Sequence, residues 1–145
     1  MKALLQRVSE ARVEVAGEVV GEIGPGLLVL LGLDKGDDAE AGERMLDKLL
    51  AYRVFPDDAG RMNCSVVEAG GGVLLVSQFT LSADTRKGLR PSFSSALPPA
   101  EAEALYNTVL GSLRERHPVV AAGRFGADMQ VSLTNDGPVT FLLEI

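Results

Sequence analysis

The segment Leu27-Leu28-Val29-Leu30-Leu31-Gly32 is apolar throughout and shows no alternation. A strand with one wet face alternates apolar and polar side chains, so a run of this kind implies a strand covered on both faces. A second run, Val73-Leu74-Leu75-Val76, follows Gly70-Gly71-Gly72 and has the same character. Any fold open to this chain must place two strands inside and supply layers to cover them. Two segments can act as cover. Between Asp38 and Tyr52, the residues Met45, Leu46, Leu49 and Leu50 recur at helical spacing. A second helix opens at Pro98-Pro99, carries Ala102, Leu105, Tyr106, Val109, Leu110 and Leu113 on one stripe, and ends near Arg114, Arg116 and His117, where basic groups suit the helix dipole.

The rest of the chain reads as strands and turns. Ala3 to Val8 continues to Val13-Glu14-Val15, Ala16-Gly17 turns the chain, and Val19 to Ile23 returns. The Val73 run extends through Ser77-Gln78-Phe79-Thr80-Leu81. The last stretch offers Val119 to Arg124, Met129 to Thr134 and Val139 to Leu143. Several strands with two interspersed helices imply an α/β or α+β fold whose sheet faces are covered by helices. With 145 residues, 46% hydrophobic and 23% charged, one domain over residues 1–145 is expected. No apolar run approaches the about 18 residues of a membrane span, and Met1-Lys2-Ala3-Leu4-Leu5-Gln6-Arg7 turns polar too soon for a secretory leader. A cytoplasmic protein without a membrane partner is therefore expected.

Several chemistries lose support at once. Histidine occurs once, as His117 at a predicted helix end, which disfavours Ser-His-Asp and Cys-His arrangements and suits a role at the helix dipole. The one cysteine, Cys64, has no partner for a disulfide and no zinc-ligand spacing, and reads as a small buried thiol. Gly70-Gly71-Gly72 precedes a strand, whereas phosphate loops and dinucleotide fingerprints follow one and open a helix. Asp57 and Asp58 lie in a turn-like Phe55-Pro56-Asp57-Asp58-Ala59-Gly60 and read as solvated, so neither a metal nor another cofactor is expected. The net charge of −6 disfavours a broad nucleic-acid face and a DNA partner. Any RNA contact has to be local.

Two segments remain as candidates for chemistry. Ser77-Gln78-Phe79-Thr80-Leu81 ends an apolar strand in hydroxyls and an amide; this is either a strand reaching solvent or the lining of a pocket. Asn135-Asp136-Gly137-Pro138-Val139-Thr140 reads first as a hairpin turn at Asp-Gly, although Pro138 cannot donate a ladder hydrogen bond and a Gly-Pro bond is open to the cis form. A weaker third feature, Asp84 to Phe93, holds Arg86, Lys87 and Arg90 directly downstream of the first segment and is either solvated surface or a phosphate contact.

These residues, together with Gln6-Arg7-Val8, Gly21 to Leu27, Arg90-Pro91-Ser92-Phe93 and Phe125-Gly126-Ala127-Asp128-Met129, closely resemble the bacterial-type D-aminoacyl-tRNA deacylases nearly end to end. The resemblance implies mixed β-sheets closing into a barrel-like core with two covering helices, and a homodimer. It implies that Ser77, Gln78, Phe79 and Thr80 form the catalytic segment around the aminoacylated 3′-terminal adenosine of tRNA, that Gly137-Pro138, in the cis form, enters the partner's pocket and selects chirality, and that Arg7, Met129, Asn135, Val139 and Thr140 contribute to substrate binding. The expected reaction is hydrolysis of the D-aminoacyl-tRNA ester, with glycyl-tRNA mischarged on tRNA-Ala as a second substrate. Arg86, Lys87 and Arg90 are the candidate tRNA contacts. One departure is Ser82, where the family often has an aromatic residue.

An activated ester needs positioning and oxyanion stabilisation more than a strong base, which agrees with a site lacking histidine. The N–H groups of Phe79 and Thr80 are the candidate oxyanion donors, and Thr80 is assigned a positioning role with water as nucleophile. Two rivals compete with this reading: a threonine-dependent amidase or esterase of small D-amino-acid derivatives, and a noncatalytic RNA-binding module using Arg86, Lys87 and Arg90. Sparse aromatics and the acidic balance count against the second.

Overall fold

The computed structural model describes residues 1–145. In chain order its elements are β1 (Lys2–Val15), β2 (Glu18–Ile23), β3 (Gly26–Gly32), α1 (Ala39–Ala51), β4 (Phe55–Pro56), β5 (Met62–Cys64), α2 (Val66–Ala69), β6 (Gly72–Ser77), a 3-10 turn (Phe79–Ser82), α3 (Pro99–Arg116), β7 (Val120–Ala122) and β8 (Gln130–Glu144). The main sheet runs β2-β1-β3-β6-β7, with β8 beside β1. Its antiparallel half comes from β1 with β2, β3 and β8, and its parallel half from β3, β6 and β7.

The two unalternating runs form the adjacent inner strands β3 and β6, and both of their faces are covered. On one face Leu27, Val29, Leu31, Val73 and Leu75 pack with residues of α1 and α3, among them Met45, Leu49, Val109 and Leu113. On the other, Leu28, Leu74 and Val76 pack with Val8, Val13 and Ile23. That second cluster fills a nearly closed barrel, because the sheet curls until β2 meets β7: a Cβ on Gly21 would collide with the Ala122 carbonyl. Close approach of these two backbones is why position 21 carries no side chain.

Both predicted helices are present. Asp38 caps α1, its carboxylate accepting from the Ala41 N–H at 2.9 Å, and Pro98-Pro99 opens α3. Tyr106 on the buried stripe of α3 donates its hydroxyl to the Leu75 carbonyl at 2.9 Å, and burial pushes its phenol up to about 12. The Ala16-Gly17 turn also forms as read, with φ of 50° and 81°, the left-handed pair that a tight hairpin requires.

Three expectations change, and the solvated turn at Asp57 gains a ribbon around it. The Val73 strand stops at Ser77, and Phe79–Ser82 wind into a 3-10 turn instead, fixed where the buried Ser82 hydroxyl donates to the Leu33 carbonyl at 3.2 Å. The stretch after Met129 is one strand, β8, and Asn135 to Pro138 is no hairpin. The two halves of β8 both pair with β1, in registers that differ across the segment: Gln6 faces Thr140 and Val8 faces Asn135, so residues 136–139 bulge out between them. A third helix, α2, is a single turn closed by a capping box between Ser65 and Glu68. Finally, β4 and β5 form a small ribbon around the Asp57 turn, where the Asp57 carboxylate accepts from Ala59 N and Arg61 N at 2.9 and 3.0 Å.

His117 is the C-cap residue of α3, but its ring does not face the last helical carbonyls. It is 4% exposed, and its Nε2–H donates to the Gly71 carbonyl at 2.7 Å, tying α3 to the start of β6. Cys64 is half-buried at the end of β5.

Candidate active site

At the C-terminal ends of β3 and β6 the parallel strands stop side by side and leave a cleft of about 750 Å³. Clefts at such strand ends are common ligand sites, since the backbone there is fixed while its last polar groups lack ladder partners. Ser77, Gln78 and Phe79 form one wall, and Phe125 to Met129 form another. Phe79 is 61% exposed and packs against Phe93, with ring centroids 5.0 Å apart and planes tilted by 54°. The floor is apolar, from Leu31 and Val76.

Thr80 lies one residue beyond the lining and is exposed. Its hydroxyl accepts a hydrogen bond from Gln78 Nε2 at 2.5 Å, and no imidazole, amine or carboxylate is bonded to it. The Thr80 proton therefore has no base to leave to, which disfavours Thr80 as nucleophile. The N–H groups of Phe79 and Thr80 stand at the start of the 3-10 turn, where no carbonyl of that turn can reach them. Two N–H donors, a carboxamide and a hydroxyl beside an apolar floor can hold and polarise an ester carbonyl.

The second predicted segment gathers elsewhere. The Gly137-Pro138 bond is cis, at the crest of the β8 bulge. Arg7 on β1 braces this bulge from below: its Nη1 donates to the Val54 carbonyl at 2.7 Å, its Nε to the Asp136 carbonyl at 3.2 Å, and the Asp136 carboxylate lies 3.4 Å from the same Nε. Asn135 closes the neck. Its Nδ2 donates across it to the carbonyls of Arg7 at 2.9 Å and Val139 at 3.0 Å, while its Oδ1 accepts from Thr140 Oγ1 at 3.3 Å. Val139 packs on the helix-covered core.

The predicted residues thus fall into two groups within one chain. Ser77, Gln78, Phe79 and Met129 line the cleft, with Thr80 at its edge. Arg7, Asn135, Val139 and Thr140 surround Gly137 and Pro138, and none of these six lines it. Asn135 has both of its N–H groups engaged on the main chain, so its place in the fold is to shape the bulge.

The loop from Asp84 to Ser92 is closed by paired backbone bonds of 2.7 and 3.0 Å. Within it Arg86 is held by Asp84, at 2.9 Å through Nε and 2.7 Å through Nη2. That guanidinium keeps the Asp84 carboxyl well below the usual carboxylate range. Lys87 and Arg90 are exposed, and no carboxylate pairs with them.

Lys35 is a lining residue that sequence reasoning missed. It enters the cleft because its N–H donates to the Ser95 carbonyl at 2.9 Å, which docks the loop after β3 on the strap leading to α3. That contact joins distant parts of the chain and leaves no local signal.

Residues 4–144 match the family model described as D-Tyr-tRNA(Tyr) deacylase. The chain is 67% identical over 144 residues to a D-aminoacyl-tRNA deacylase of Azotobacter vinelandii, covering 99% of each chain. It is 64% identical over 144 residues to one of Pseudomonas aeruginosa, again covering 99% of each. Among solved structures, the c-Myc DNA Unwinding Element Binding Protein superposes with a TM-score of 0.96 at 44% identity, over 100% of this chain and 99% of that one. A probable eukaryotic D-amino acid tRNA deacylase shares the fold, with a TM-score of 0.87 at 19% identity over 99% of this chain and 98% of that one.

Proposed function

The chain belongs to the D-Tyr-tRNA(Tyr) deacylase family and is a hydrolase of the D-aminoacyl-tRNA deacylase kind, and from that premise we propose how its two clusters divide the work. The substrate is D-aminoacyl-tRNA, whose aminoacylated 3′-terminal adenosine enters the cleft beside Ser77 to Thr80. Water attacks the ester carbonyl, the N–H groups of Phe79 and Thr80 stabilise the oxyanion, and free tRNA and the D-amino acid leave. Gln78 and Thr80 position the ester, and the substrate's own ribose 2′-hydroxyl assists in place of a side-chain base. The observation that carries this reading is the cleft itself, which offers hydrogen-bond donors at a strand end with no acid or base bonded to the Thr80 hydroxyl.

The bulge at Gly137 and Pro138 supplies the chiral filter from a second copy of the chain. In a homodimer the crest of one protomer enters its partner's cleft, where its main-chain carbonyls hold the α-amino group and occupy the space an L side chain needs. Rejection by collision leaves the D side chain unread, so many D-residues pass, and glycine passes as well. Glycine mischarged on tRNA-Ala is then a second substrate, and the protein works as a proofreader in the cytoplasm. Support for the bulge as a rigid reader comes from its bracing by Arg7 and Asn135. Lys87 and Arg90 are the free cations of the loop beside the cleft and are assigned to the tRNA backbone; Arg86 is already engaged by Asp84. With a net charge of −6, DNA binding of the kind named for one structural relative is not extended to this chain.

The decisive assay compares release of tyrosine from D-tyrosyl-tRNA and L-tyrosyl-tRNA by the purified protein. Fast release from the D form alone is expected. Equal rates would remove the exclusion mechanism, and release from neither would remove the function.

A further inference from the structure

A second concavity lies away from the cleft, on the bulge side of the molecule. It is a shallow groove of about 560 Å³ lined by Lys48 and Ala51 of α1, Tyr52, Arg53, Met62 of β5 and Phe141 of β8. Tyr52 and Phe141 form its aromatic base, edge to face with centroids 5.7 Å apart, and Phe141 stays 37% exposed. Met62 is 53% exposed.

Two features give the groove a specific chemistry. The first is charge. Lys48 and Arg53 both line it, no carboxylate does, and neither cation is in an ion pair. Arg53 donates only to the neutral amide of Asn63, at 3.2 Å. On a chain of net charge −6, this is a local positive spot over exposed aromatic surface. Such a pairing suits a single-stranded polynucleotide, which brings phosphates for the cations and base faces for the rings.

The second feature is position. Phe141 follows Val139, the last residue of the bulge, by two places, and Arg53 precedes Val54, whose carbonyl anchors Arg7 beneath the bulge. The groove therefore adjoins the crest that carries Gly137 and Pro138. We propose that it binds the unpaired nucleotides immediately 5′ of the aminoacylated adenosine of tRNA, so that the protomer lending its bulge to a cleft also holds the strand entering that cleft. This rests on the functional reading above. Lys48 and Arg53 meet phosphate, and Phe141 with Tyr52 and Met62 gives bases an apolar seat.

The test uses the full-length protein with both side chains reversed, K48E/R53E, two positions outside the buried core. Two substrates are compared: D-tyrosyl-tRNA and the minimal ester 3′-O-D-tyrosyl-adenosine, which lacks the nucleotides in question. The expected result is a KM for D-tyrosyl-tRNA raised on the order of tenfold in dilute salt, with kcat and hydrolysis of the minimal ester unchanged. The slope of log KM against log salt should also flatten, by about 0.7 for each phosphate that the variant no longer neutralises. An unchanged KM and salt slope on tRNA would overturn the proposal. So would an equal loss on both substrates, or a changed sedimentation coefficient, which would make the groove an interface between copies. Wild-type protein inactive on D-tyrosyl-tRNA would instead sink the functional reading, and that result comes before any variant is made.

Discussion

Replacing Asn135 with alanine tests whether the bulge is shaped by its neck. The side chain spans the neck with two donated bonds, 2.9 Å to the Arg7 carbonyl and 3.0 Å to the Val139 carbonyl, and accepts a third, longer one from Thr140. A hydrogen bond is worth about 1 kcal/mol net, and an acceptor left without a partner adds to the loss. Asn135 is partly buried, so water can replace some of what is removed. The expected destabilisation is about 2–3 kcal/mol in urea unfolding, or a fall in Tm of about 4–12 °C for a chain of this size. Function should change in a particular way. If the neck fixes where the crest stands, the preference for D- over L-tyrosyl-tRNA, measured as a ratio of kcat/KM values, should fall at least tenfold through faster cleavage of the L substrate. Thr140→Val removes only the third bond and should show a smaller loss of both kinds. Stability lost with the D/L ratio intact would refute the reasoning, because the crest would then hold its place without the neck.

Substitutions at three further positions follow from the bonds described. Thr80→Ser should keep most deacylase activity and Thr80→Val should lose much more, since what matters is a hydroxyl at the end of the 2.5 Å bond from Gln78; complete loss in the serine variant would restore Thr80 as nucleophile. Burial works to raise the Asp34 carboxyl, but hydrogen bonds from the Met1 ammonium and Lys2 outweigh it and hold the carboxyl below its ordinary 3.8. Its stabilising effect is therefore present above that value and disappears as pH falls through the folded-state value, so Asp34→Asn should cost on the order of 2 kcal/mol in urea at pH 7 and progressively less in strong acid. Tyr106 keeps its proton in the folded protein up to about 12 while an unfolded tyrosine releases its own near 10, so stability should decline between those values. Tyr106→Phe should remove that decline along with the highest tyrosinate absorbance transition.

What the sequence revealed depended on how locally each element is determined. The inner strands β3 and β6 were legible because burial on both faces leaves no room for a polar residue in Leu27 to Leu31 or Val73 to Val76. The helices were legible because their apolar residues repeat every third or fourth place and their caps sit in the sequence beside them. The bulge was not. Asp136-Gly137 is a strong hairpin signal, and what overrides it is pairing of both flanks with the same strand, β1, whose residues lie more than a hundred positions away. The 3-10 turn was hidden for a similar reason: Ser82 bends the chain toward Leu33, a tertiary partner. Ser77 to Phe79 were legible as candidate lining because polar groups ending an apolar strand need partners, whereas Lys35 joins the same cleft through a loop contact that no local pattern encodes.

The crest in the middle of β8 also bears on how this chain behaves in a crowd. Within one protomer only one side of this strand of 15 residues is bonded, to β1, so a long row of backbone groups is left unpaired on the other. Continuous rows of that sort are templates on which foreign strands can grow. Here the kink divides the row into two short, offset stretches with a proline between them, and a visiting strand in register with one is out of step with the other. Aggregation by strand addition is thereby held to brief, weak encounters, a safeguard supplied by the same four residues that project from the sheet.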